Sequence, residues 1–221
     1  MLSLDFFKAY DRVFLGYLLK VMKKMNFGDT FCKWIQMMHD GARTRFILED
    51  LTDTIEVSFS IRQGDPLAML LYVIYAEPLL LLLESSLKGL MFSSPQSLVQ
   101  TEYFRQVSEA FCDDVNLLVT HDEDFNAIEK AVTEFEKASG AILSRNMKCQ
   151  VLGLGFWKNR QNWSLNFLRQ VKEVKIFGIW FMDNYKHMLT ANWNEMIGKL
   201  RNTVYSWRGR YFANLKQRIE I

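Results

Sequence analysis

The residues with the clearest chemical potential lie in AFCDDVNLLV (110–119), where Asp113 and Asp114 adjoin inside an apolar run. Ionised carboxylates are costly to bury without a partner, so the pair calls for a cation. Along a strand, neighbouring side chains face opposite sides, but at a tight hairpin tip two successive carboxylates can approach one ion. Magnesium suits such a pair: it is hard, keeps several waters, and takes one or two carboxylates plus substrate phosphates. A third acid closing an adjacent strand would complete a pocket for two ions, and Asp5, at the end of LSLD, is the candidate. A solvated turn would carry an Asp pair equally well. The order of Asp5, RQGDPL and the Asp pair argues for a site.

These acids need elements to hold them. LSLDF (2–6) reads as a short strand, and 103–119 as two strands meeting at the Asp pair. From Val13 to Asp40 apolar residues recur at helical spacing, and NFGD (26–29) divides them into two helices, with Asp29 or Thr30 as N-cap. TRFILE (44–49) and TIEVSFSI (54–61) read as paired strands, and RQGDPL turns into an apolar helix over 67–83. Residues 122–140 predict an amphipathic helix with acids in its first turn, Phe125, Ile128, Val132 and Phe135 on one face, and Gly140 after its end. CQVLGLGF and VKIFGIWF are further strands, 93–97 a loop, and 192–212 a basic, aromatic helix. The pattern is α+β, with distant strands gathered into one sheet.

With 221 residues, 49% of them hydrophobic, the chain can bury a sizeable core. Cys32, Cys112 and Cys149 form no CxxC pair, which argues against a disulfide scaffold or structural zinc and for a reducing compartment, nucleus or cytoplasm. No secretory leader is visible. Glu77 and Pro78 interrupt the 67–83 run, so it reads as a buried helix, with no membrane partner. The net charge of +2 hides an asymmetry: residues 155–221 carry twelve Lys/Arg against four Asp/Glu, a local +8, leaving −6 for the rest. A basic, aromatic end is compatible with phosphate-backbone contact, or with a plain solvated helix.

Several motifs, in order, resemble the reverse transcriptase of non-LTR, LINE-type retrotransposons. LSLDFFKAYDRV (2–13) resembles the first palm motif, where an Asp closes a strand and KAFDRV follows. IRQGDPLAMLLYVIYAEPLL (61–80) is similar to RQGDPLSPLLF…EPL, and AFCDDV (110–115) to the YADD box. SGAILSRNMKCQVL (139–152) resembles the next motif, VKIFGIWF (174–181) the KYLGI hairpin, and residues from 192 onward the opening of the thumb.

The resemblance implies a polymerase palm, an antiparallel sheet packed on helices, over 1–182, and the start of a thumb over 183–221. By position, Asp5, Asp113 and Asp114 would be the catalytic carboxylates. Asp5 and Asp113, with the backbone carbonyl of Phe6, would hold two magnesium ions, Asp114 would support them, and manganese could substitute. Tyr10 would lie under the nucleotide sugar and exclude a 2′-hydroxyl, or else be a core aromatic; Asp11 would be structural. Gln63, Gly64, Phe111 and Lys148 would meet nucleotide, and Cys112, Phe177, Gly178, Arg201, Trp207, Arg208 and Arg210 the primer or duplex. The implied partners are an RNA template, a DNA primer and deoxynucleoside triphosphates.

The departures are Ala68-Met69 for the family's SP, Phe59-Ser60 for its Arg-Gly, and Cys112 for the alanine of YADD. None removes a metal ligand. The expected fingers motifs do not precede Leu2 and the thumb is partial, so the reading is a truncated or domesticated palm, with fingers or other domains belonging to a longer protein. The competing expectation is a non-catalytic nucleic-acid or protein-binding module that retains the palm fold. A membrane-associated structural protein built on 67–83 is a third.

Overall fold

The computed structural model describes residues 1–41, 43–45, 47, 52–56, 61, 65–93, 103–146 and 148–207. In chain order its elements are β1 (Leu2–Leu4), α1 (Leu15–Lys24), α2 (Asp29–His39), β2 (Arg43–Thr44), β3 (Ile55–Glu56), α3 (Ala68–Ser86), β4 (Leu90–Ser93) and β5 (Tyr103–Gln106). There follow β6 (Ser108–Phe111), β7 (Asp114–Leu117), α4 (Glu123–Ser139), β8 (Gln150–Leu152), β9 (Arg169–Val171), β10 (Glu173–Ile176), β11 (Ile179–Met182) and α5 (Tyr185–Trp207). The chain forms two compact units: Met1–Val151 with Arg160–Gln170, and Leu152–Asn159 with Val171–Ile221.

The first unit is built on a sheet ordered β6-β7-β1-β8-β9. β1 is central and antiparallel to both neighbours, with Leu4 opposite Val115 and Leu2 opposite both Leu117 and Val151. Side chains alternate across a strand, so these residues share one face, and all of them are buried. Each contributes about 1.5–3 kcal/mol by leaving water. The opposite face carries Ser3, Asn116 and Gln150, joined by the same register. Two-faced alternation is what the apolar and polar spacing of the strands demands.

Three helices supply the core. α3 packs against α1 and α4, and aromatic rings lock the contact: Tyr75 meets Phe135 edge-on at 5.5 Å and Tyr17 at 5.3 Å. The buried Tyr75 hydroxyl donates to the Ser139 carbonyl at 3.0 Å. The expected face of α4 is buried in full, and Gly140 caps the helix at φ 79°, a left-handed conformation that suits glycine.

Some expectations shift. α3 is long and apolar enough to cross a membrane, and it buries one face only; Met69, Leu70, Val73 and Leu81 are exposed. Gly28, not Asp29 or Thr30, is the N-cap of α2, because its backbone is the extended one and Asp29 already lies in the first turn. The 103–119 segment holds three strands, not two: β5 pairs with β4, and the chain then passes buried Val107 into β6. The parts of the 44–61 strands that are described pair as expected, Arg43 with Glu56 and Thr44 with Ile55.

The second unit contains the β10–β11 hairpin and α5. CQVLGLGF yields only a short strand, since the chain folds at Gly153, where a Cβ would stand 2.1 Å from the Trp157 carbonyl oxygen. α5 begins at Tyr185, ahead of the expected 192, because the Asn184 side chain accepts the His187 N–H at 3.2 Å and caps the helix. Polar contacts fasten α5 to β11. The Trp180 N–H donates to Asn192 at 2.8 Å and the Trp180 indole to Glu195 at 2.7 Å.

Candidate active site

The Asp pair lies at a hairpin tip. Phe111 pairs with Asp114, so Cys112 and Asp113 form a two-residue turn between β6 and β7. β1 runs beside β7 with Leu4 opposite Val115, so the next residues outward, Asp5 and Asp114, flank one another at the same end of the sheet. The carboxyl of Asp114 is pushed above its usual range, first by burial and then by the charges of Asp113 and Asp5. Three like charges therefore converge on one end of the sheet. Among the described residues, no three acids, histidines or cysteines already close into a metal cage.

The environment of Asp5 differs from that of an ordinary structural acid. Asp124 is buried and accepts backbone N–H groups from His121 at 3.2 Å and from Thr120 and Lys88 at 3.4 Å. Asp5 Oδ2 is buried with no hydrogen-bond partner, and the nearest opposite charge is Lys148 Nζ at 3.6 Å. A buried carboxylate oxygen with no hydrogen bond and only a long ion pair is under-satisfied, and an oxygen-liganded divalent cation is the kind of group that satisfies it. The donor set thus fits magnesium.

Backbone direction adds a ligand. The Phe7 N–H donates to the Ile142 carbonyl at 2.8 Å, and the Asp5 carbonyl accepts the Ser144 N–H at 2.7 Å, around an antiparallel bridge of Phe6 with Leu143. Carbonyls alternate along an extended chain, so that of Phe6 faces away from 142–144, toward the β7 side.

Aromatic rings form the floor. Tyr10 stacks on buried Tyr72 at 4.9 Å, Tyr72 meets Tyr75 at 5.6 Å, and Phe6 meets Phe135 at 5.9 Å. Both ends of the Phe6–Tyr10 stretch thus rest on one aromatic cluster. The Tyr10 hydroxyl titrates well above its usual value, through burial, a hydrogen bond with the Cys112 side chain, and the charge of Asp113. That of Tyr72 is raised too, by burial and then by Asp113.

Asp5, Phe6, Tyr10, Cys112, Asp113, Asp114 and Lys148 are therefore brought together. Phe111 is exposed on β6, and Asp11 is exposed in a short 3-10 turn (Tyr10–Arg12). In the second unit, Phe177 and Gly178 form the β10–β11 turn, and Arg201 and Trp207 are exposed on α5. Gln63, Gly64, Arg208 and Arg210 lie outside the described residues. Sequence reading passed over Tyr72, and it passed over Glu136 and Arg145, which hold the segment beside Asp5. Tyr72 carried a faint signal, one helical turn before Tyr75 on an otherwise aliphatic helix. The other two stood among ordinary surface charges.

An antiparallel sheet backed by helices, with three acids at the end of adjoining strands, is the architecture of a polymerase palm. The profile of the family "Reverse transcriptase (RNA-dependent DNA polymerase)" matches residues 1–181. A "Transposon TX1 uncharacterized 149 kDa protein" of Xenopus laevis is 28% identical across 94% of this chain. The chain belongs to the reverse transcriptase family, and the transposon relative accords with the non-LTR, LINE-type character of its motifs. It spans 15% of that relative's length.

Proposed function

We propose that the chain is the palm of an RNA-directed DNA polymerase from a LINE-type retroelement, with residues 1–182 as palm and 183–221 as the opening of the thumb. The observation that carries this is the strand register that sets Asp5 beside Asp114 and the Cys112–Asp113 turn. Asp5, Asp113 and the Phe6 carbonyl would hold two magnesium ions, with Asp114 in support. When bound, such ions activate the primer 3′-hydroxyl and neutralise charge on the departing pyrophosphate. The chain's own task is positioning and electrostatics, which is what phosphoryl transfer needs.

In this reading Tyr10, held flat by Tyr72, forms the floor under the nucleotide sugar and disfavours a 2′-hydroxyl. Phe111 and Cys112 line the nucleotide and primer side, and Lys148 answers the triphosphate once Asp5 is paired otherwise. Gln63 and Gly64 are assigned to nucleotide by resemblance. Phe177, Gly178, Arg201, Trp207, Arg208 and Arg210 are likewise assigned to the duplex. Three free, buried thiols fit a reducing compartment, nucleus or cytoplasm.

The test is extension of a DNA primer on an RNA template with magnesium, then manganese. Extension by the wild type, and its loss by at least ~10²-fold in Asp113→Ala, is the expected result. Duplex binding without extension, unchanged in Asp113→Ala, would favour the non-catalytic module.

A further inference from the structure

Residues 142–146, followed by Lys148, touch the acid site twice. The start of this segment takes the Asp5 carbonyl and the Phe7 N–H, which fixes the directions of the Asp5 side chain and the Phe6 carbonyl. Lys148 then places its Nζ 3.6 Å from Asp5 Oδ2. The main anchor of this segment is Glu136 of α4. Glu136 Oε1 accepts the Leu143 N–H at 2.7 Å, and both Glu136 oxygens accept the Arg145 fork, at 2.7 and 2.8 Å. Arg145 also reaches Glu129 at 3.5 Å, and its guanidinium lies 5.6 Å from the Phe167 ring centroid. A planar fork engaged on two oxygens and a ring admits little play.

We propose that the Glu136–Arg145 pair is a positioning device for Asp5: by locking Leu143 and Ser144 onto α4, it aims the Asp5 carboxylate and the Phe6 carbonyl at the bound metal. Magnesium demands ligand oxygens near ideal octahedral positions, so a small slip of the Asp5–Phe7 backbone weakens binding out of proportion to any change in stability. Arg145 and Glu136 touch neither metal nor substrate in this scheme; they act through the backbone of 142–144. The inference rests on the polymerase reading.

The experiment measures manganese binding to the full chain, from the free-ion electron paramagnetic resonance signal, beside primer extension. Arg145→Ala is expected to weaken manganese binding ~10–100-fold, as lost outer-shell support does. It should lower kcat while leaving KM for the nucleotide nearly unchanged. Arg145→Lys, which keeps charge and packing but not the fork, should fall between Arg145→Ala and wild type; it decides the matter if the alanine variant does not fold. Because the two residues act as a unit, the double alanine variant should cost no more than the worse single one. Asp113→Ala separates the two claims. If it abolishes manganese binding while folded Arg145 variants bind like wild type, the positioning role is overturned and the polymerase reading stands. If the wild type binds no manganese, or Asp113→Ala binds it equally well, the polymerase reading fails and takes this inference with it.

Discussion

Two hairpins in this chain turn on two residues each, and they solve the turn differently. At Phe177–Gly178 both residues are left-handed, φ 49° and 84°, the pattern of a type I′ turn with glycine at its second position. At Cys112–Asp113 only Cys112 has positive φ, 54°, the pattern of a type II′ turn, which favours glycine there. The acid-bearing hairpin thus places a cysteine where glycine would be relaxed, at a cost of about 1–3 kcal/mol. The supports differ accordingly. β7 is paired on both edges and buries Val115 and Leu117, whereas β10 and β11 form a two-stranded sheet fastened largely by polar side chains of α5. Each turn carries one non-glycine residue at positive φ, Cys112 or Phe177, but only the first is backed by a strand buried and paired on both edges.

The largest test of this contrast removes the support under the strained turn. Leu4 is buried, lies opposite Val115 and precedes Asp5, so Leu4→Ala should cost about 2–5 kcal/mol in urea unfolding. A cost below ~1 kcal/mol would mean that the sheet core does not hold the turn. In the second hairpin, Gly178→Val puts a β-branched residue at φ 84° and should cost ~1–2 kcal/mol. Phe177→Asn offers a residue that tolerates φ 49°, and the same unfolding assay should show a gain of ~0.5 kcal/mol. A loss there would show that the exposed phenyl ring contributes more than its backbone costs.

The smallest expected effect is a pH response confined to the second unit. Hydrogen bonds from Lys175, Lys199 and the Trp180 indole hold the Glu195 carboxyl down at about 2. A depressed carboxyl stabilises the folded form fully above its ordinary value of 4.5, and that contribution fades as pH falls through about 2. The Trp180 indole N–H resonance should therefore stay fixed down to about pH 4 and shift near pH 2, and Glu195→Gln should abolish the transition. A midpoint near 4.5 would show the network to be open in solution.

Much of this was legible along the chain because it is local. The apolar run around Asp113 and Asp114 implied strands meeting at a tip, and first-turn acids with Gly140 marked α4. VKIFGIWF, by contrast, read locally as a strand, and its hairpin at Phe177–Gly178 was implied only by the family resemblance. Sheet order is another matter. That Asp5 flanks Asp114, that Tyr10 lies on Tyr72, and that Arg145 closes on Glu136 depend on which buried faces found each other. Local spacing encodes a period and a turn, whereas register between distant strands follows from the packing of Leu2, Leu4, Val115, Leu117 and Val151 into one core. The residue types of the site were thus written in the chain, and their convergence came from burial.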